Sequence, residues 1–215
     1  MSTATGANGS TTSPALDWSW RSVSSCPLPF RTDEAIVSYA VHPDGRTIFV
    51  TANTPKEDRT FSFDTRRCEW RFHGEWALPF EGQGYFDSQL DAWVGLQQDG
   101  GICSCQVISH GSTGAVQPDW KMAKDKLWSP NKKVALGPTL TSMGGARFCL
   151  VECVMREGLV EYEDAFGDHD GCVLHITMFG LKYSHREVLQ TFGRTTSSCP
   201  VSKHFTSFSP VAFWM

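Results

Sequence analysis

The chain has 215 residues, of which 40% are hydrophobic and 20% charged, with a formal charge of −4. This balance belongs to a folded globular chain and excludes wholesale disorder. It also argues against nucleic acid as a partner, since phosphate binding needs clustered Lys and Arg. No run approaches the ~18 apolar residues of a membrane helix, so no membrane partner is expected.

Residues 1–24 read as a flexible N-terminal tail, rich at first in Ser, Thr, Ala and Gly. The first arginine is Arg21, later than a transit peptide places its charges, and no apolar stretch serves as a signal peptide. A cytoplasmic or nuclear home follows as an expectation, with the eight cysteines reduced. Residues 25–215 read as the folded domain.

From Ala35 the pattern is β. AIVSYAV and RTIFVTA flank His42-Pro43-Asp44-Gly45, where Pro presets φ and Gly accepts positive φ, predicting a hairpin. RTFSFD and CEWRFH pair across Asp64-Thr65-Arg66-Arg67; alternation gives Phe61 and Phe63 one face, and Trp70 and Phe72 one face. GYFDSQ, DAWVGL and ICSCQVI continue the pattern. Residues 109–131 read as a long loop with a short strand at 115–117 and a helical turn at 121–127. The basic cluster of Lys121, Lys124 and Lys126, then Lys132 and Lys133, interrupted by Asp119 and Asp125, reads as a solvated loop. VALGPTLTSM, ARFCLVECVMRE and GCVLHITMFGLKYS are further strands, and 161–170 is an acidic loop. From Arg194 the chain is Ser/Thr-rich, ending in the apolar SPVAFWM, which reads as docked.

These short strands, with an aromatic strand, an acid at the turn and a Trp on the return, predict an all-β fold of antiparallel sheets. The period favours a kelch-like β-propeller, complete or incomplete, with about three to four blades; a β-sandwich is the alternative. An incomplete propeller leaves sheet edges, so edge-strand pairing or dimerisation is an expectation.

The run FSFDTRRCEWRFHGEWALPFEGQGYFDSQLDAWVGL, with HITMFGLKYSHREVLQTFGRT and SPVAFWM, resembles domain of unknown function 1668, a plant family expanded in grasses. The resemblance covers the chain from about Ser25 to the end. It implies a kelch-like or F-box-associated propeller and an N-terminally shortened member, and it carries over no activity.

No residues form a recognisable catalytic set. His42, His73, His110, His175, His185 and His204 are scattered, and no serine or cysteine sits in a nucleophile elbow. Cys103/Cys105 and Cys149/Cys153 would share strand faces, but zinc sites favour knuckles on turns, so buried thiols are expected and no metal. Asp168-His169-Asp170 lacks the closing Glu of a calcium loop. No catalytic residue and no cofactor is assigned. Trp76, Trp120 and Trp128 fall in loops beside Pro, Lys or Gly, where they are either protein-interaction residues or plugs between sheets.

The expected function is a non-enzymatic protein-interaction module, regulatory or competing with longer relatives. The alternatives are an enzyme with a pocket at one end of a propeller, where Asp64/Glu69 and Asp87/Asp91 are the acids to inspect, or a substrate-recognition subunit of a ubiquitin ligase working through a separate adaptor.

Overall fold

The computed structural model describes residues 26–109, 116–128, 134–155 and 172–200. The tail read over 1–24, the acidic loop over 161–170 and the SPVAFWM terminus lie outside the described residues. What is described is all-β, with no helix and twelve strands.

The strands follow one another as three four-stranded antiparallel meanders. The first holds β1 (Ala35–Val41), β2 (Thr47–Asn53), β3 (Asp58–Asp64) and β4 (Glu69–Gly74). The second holds β5 (Glu81–Asp87), β6 (Ala92–Leu96), β7 (Ile102–Gln106) and β8 (Trp120–Met122). The third holds β9 (Val134–Gly144), β10 (Arg147–Met155), β11 (Cys172–Tyr183) and β12 (Leu189–Pro200). The first two join into a mixed eight-stranded sheet because β1 and β5 pair in parallel, Ser38–Ala40 against Gly82–Gly84. The third forms its own sheet, and neither sheet is closed.

Three sequence expectations are corrected. The short strand lies at Trp120–Met122, not 115–117, because Lys121 and its neighbours extend to pair with Cys103–Cys105. That pairing also removes the helical turn expected over 121–127. The Ser/Thr-rich stretch from Arg194 is strand: Thr195–Pro200 pair with Met178 back to Val173. A polar composition suits this outer strand, whose residues 193–200 are all exposed.

Turn chemistry sets the hairpins. Asp44, Asp64, Asp87 and Asp99 each accept hydrogen bonds from backbone N–H groups two or three residues on, which is how Asp nucleates a tight turn. The acid at each turn is therefore a structural cap.

Two cores lie between neighbouring meanders. Ala40 and Phe49 of the first meander and Trp93, Cys103 and Cys105 of the second pack with Trp76, Leu78 and Phe80 from the β4–β5 connection. Trp93 is fully buried, and its indole N–H donates to the Val41 carbonyl at 2.9 Å. Beside it runs a polar chain: Leu78 N–H donates to Thr51, Thr51 pairs with Thr60, and Thr60 donates to the Trp76 carbonyl. These hydroxyls satisfy the buried backbone of the connecting segment. The second core joins Ala92, Val94, Leu96 and Ile102 to Leu140, Phe148, Leu150, Phe179 and Leu181.

The opposite face of the first meander is aromatic. Phe61 meets Phe72 at 5.4 Å, Phe63 meets Trp70 at 4.8 Å, and Phe30 packs edge-on against Phe61 and Trp70. The alternation read from the sequence therefore holds.

Candidate functional site

A cleft of about 640 Å³ opens where the outer strands of the second meander meet the β11–β12 turn of the third. Register builds its floor. Ser104 stands opposite both Val94 and Lys121, and Gln106 stands opposite Ala92, so these residues share the face turned to the third meander. From the other side Tyr183 reaches across and donates its hydroxyl to Ser104 Oγ at 3.0 Å.

Charge at the cleft is mostly negative: Asp91, Asp119 and Glu187 face a single Lys121. Lys121 Nζ lies 2.9 Å from Glu187 Oε2 and 5.1 Å from the centre of the Tyr183 ring. Its hydrogen bond and charge hold the Glu187 carboxyl below its ordinary value. The pair is exposed, so it contributes little to stability. Its geometry shows what the cleft accepts, a cation over an aromatic face beside a carboxylate. Asp91 and Asp119 form no ion pair among the described residues.

Local structure fixes the acids. Asp91 closes the β5–β6 turn at a φ of 47°, a left-handed conformation that Asp tolerates. Glu187 sits at a φ of 56° in a turn held by Glu187 N–H to the Ser184 carbonyl and Ser184 N–H to the Val188 carbonyl.

The three tryptophans read as interaction candidates are separated. Trp120 stands on the cleft's rim, 43% exposed. Alternation turns its ring to the Cys105 side, away from Lys121. Trp76 is buried within the core between the first two meanders, and Trp128 is half-buried against the second core. Both indole N–H groups are buried without an acceptor among the described residues. Trp76 and Trp128 thus fill space between meanders.

The acid pairs divide as well. Asp64 and Glu69 are register partners in the first meander. Asp87 is buried at the junction of the second and third, while Asp91 belongs to the cleft. They do not ring one pocket. Cys103 and Cys105 lie in one core and Cys149 and Cys153 on β10. Among the described residues no three His, Cys, Asp or Glu come together as a metal site. Burial pushes the Cys103 thiol far up and the Cys105 thiol up to about 12, so both stay protonated. Asp168-His169-Asp170 lies outside the described residues. No described helix is long and apolar enough to cross a membrane.

A family model described as Protein of unknown function (DUF1668) matches residues 4–199. The chain belongs to this family. No curated protein matches it. The longest stretch that carries the DUF1668 resemblance in the sequence, 61–96, supplies most of β3, all of β4 to β6, and Trp76, Leu78, Phe80 and Trp93 of the core between the first two meanders. Its aromatic residues and turn acids are therefore packing and capping residues. The cleft takes Asp91 from this stretch, Tyr183 and Glu187 from the second resembling segment, 175–195, and Asp119 and Lys121 from outside both; no sequence spacing brings them together. The alternation that gave Cys103 and Cys105 one face also gives Ser104 and Gln106 the other, a signal that went unread in the sequence.

Proposed function

We propose that this DUF1668 protein is a non-enzymatic protein-interaction module that holds a Lys- or Arg-bearing segment of a partner in the acidic cleft. One observation carries the reading. The cleft already contains a cation station, Lys121 over Tyr183 beside Glu187, with Asp91 and Asp119 bearing no ion pair among the described residues. A partner's guanidinium or ammonium finds the same chemistry there, and Trp120, exposed on the rim and turned to the other sheet face, offers the partner a separate apolar contact.

The scaffold is read as three blades of a kelch-like propeller in a plant protein. The repeated four-stranded meanders and the parallel pairing of β1 with β5 support that reading. It makes the cleft an inter-blade groove, a position where loops present binding residues on a rigid frame. A role in regulation, or as the recognition subunit of a ubiquitin ligase acting through a separate adaptor, is compatible with such a groove.

The test is affinity capture with the full chain, read by mass spectrometry, comparing wild type with D91N/D119N and W120A. A specific set of proteins retained by wild type and lost from both variants supports the proposal. Retention unchanged in both variants overturns it.

A further inference from the structure

A second depression, of about 330 Å³, lies at the turn end of the first meander, away from the acidic cleft, and its chemistry is the reverse. Arg46, Arg67 and Arg71 line it, with Ser62 at its base and Asp64 and Glu69 on its wall. The arrangement is built by register. Phe49, Ser62 and Arg71 form one cross-strand row, and Thr47, Asp64 and Glu69 form the next, on the same sheet face. Arg46 and Arg67 come from different turns, and Thr65 locks those turns together by donating both its N–H, at 3.0 Å, and its hydroxyl, at 2.7 Å, to the Arg46 carbonyl.

Guanidinium groups gathered in one notch repel one another unless something balances them. Part of that balance is internal, since Asp64 and Glu69 share the notch and Arg71 has a partner of its own. Arg46 is engaged through Nε by Asp44 at 3.2 Å. The Asp64 carboxylate accepts through Oδ1 from the Arg67 and Arg66 backbone N–H groups, and the charges of Arg46 and Arg67 help hold it below its ordinary value. The Arg67 side chain has no hydrogen bond or ion pair among the described residues. At the base, Ser62 Oγ lies 2.8 Å from His73 Nε2, and both residues are buried. With the Nε2 proton on His73, Ser62 keeps its hydroxyl proton for an incoming oxygen.

We infer that this notch is an anion site for a phosphate monoester, with Arg67 and Arg46 as forks on the phosphate oxygens, Ser62 as a hydroxyl donor and Arg71 adding positive charge to the wall. Three oxygens on a tetrahedral phosphorus meet guanidinium groups arriving from different directions, whereas a carboxylate offers two in one plane. Glu69 opposes the anion and sets its affinity. The site stands apart from the acidic cleft and does not depend on its occupant.

The test is isothermal titration calorimetry of the full chain with inorganic phosphate, with a Gly/Ser peptide carrying one phosphoserine, and with the same peptide unphosphorylated. Wild type is expected to bind at least one phosphate-bearing probe and not the unphosphorylated peptide, more weakly as salt rises. R67A is expected to weaken binding about tenfold or more, and R67K to fall short of rescue because a lysine offers no bidentate fork. E69Q tightens binding. Binding of free phosphate as well as the phosphopeptide identifies the bare anion as the ligand; binding of the phosphopeptide alone identifies a modified side chain. No binding of either probe by wild type overturns the inference, as does R67A binding equally well with an unchanged melting temperature.

Discussion

Asp87 Oδ2 accepts a hydrogen bond from the Ala146 backbone N–H at 2.8 Å, joining the second meander to the third. The same carboxylate caps its own turn through Gln89 N–H at 2.9 Å and Leu90 N–H at 3.1 Å. Asp87 is 3% exposed, so its charge is compensated by those three donors. Ala146 holds a φ of 54° in the β9–β10 turn and returns its carbonyl to Leu181 N–H.

Replacing Asp87 by Ala leaves three N–H groups without an acceptor at a buried junction. The expected loss is about 3 kcal/mol of unfolding free energy, with D87N intermediate because one carbonyl oxygen remains. Urea denaturation followed by tryptophan fluorescence checks this; a D87A midpoint equal to wild type would show the clasp to be dispensable.

Phe80 should prove intolerant of side chains on its neighbours. Its ring lies 2.3 Å from where a Cβ on Gly84 would stand and 2.4 Å from one on Gly95. G84A or G95A must displace a buried ring between two strands, at a cost of about 1–3 kcal/mol. Combining either with F80A should recover part of the loss, which thermal melts of the single and double variants measure. Strictly additive losses would contradict this packing.

Acid should weaken the β1–β2 turn. Burial raises the Asp44 carboxyl, but hydrogen bonds from Arg46 and Thr47 N–H and the Thr47 hydroxyl outweigh it and hold the group well below its ordinary value. The folded state thus binds this proton less readily than the unfolded chain. The stabilisation is fully present above about pH 4 and is lost as pH falls toward the depressed folded value. D44A should be less stable than wild type at pH 6, and the gap should narrow by pH 2.5, as read from melting temperatures. A constant gap would rule out Asp44 as the titrating group.

Thiol reactivity should follow burial. Cys103 and Cys105 are 0% exposed, with both thiols raised by burial, whereas Cys199 is exposed on β12. A thiol-specific reagent at pH 8 should modify Cys199 in native protein and reach Cys103 and Cys105 only after unfolding. Peptide mapping separates the three, and prompt native labelling of Cys103 would refute the packing of the first core.

Much of the hairpin order was legible because it depends on local chemistry. Pro43 and Gly45 announced the β1–β2 turn, and alternation placed Phe61 and Phe63 against Trp70 and Phe72. Composition misled where strands rely on partners. Trp120–Met122 is a strand because β7 offers it an open edge, and Thr195–Pro200 because β11 does. Thr195–Pro200 has no apolar alternation, and that of Trp120–Met122 runs over only three residues, too short to mark a strand. Tertiary context also divided the tryptophans: Trp76 lies in a loop next to Ala77 and Leu78, and only the packing of two meanders buries it.

The sequence alone therefore determined an all-β chain, its main turns and its family, since each rests on spacing within a few tens of residues. Only the tertiary structure decided the sites. Lys121 reaches Tyr183 and Glu187, and Arg46 comes beside Arg67, because strand register and turn-to-turn hydrogen bonds close distances along the chain that no local pattern encodes.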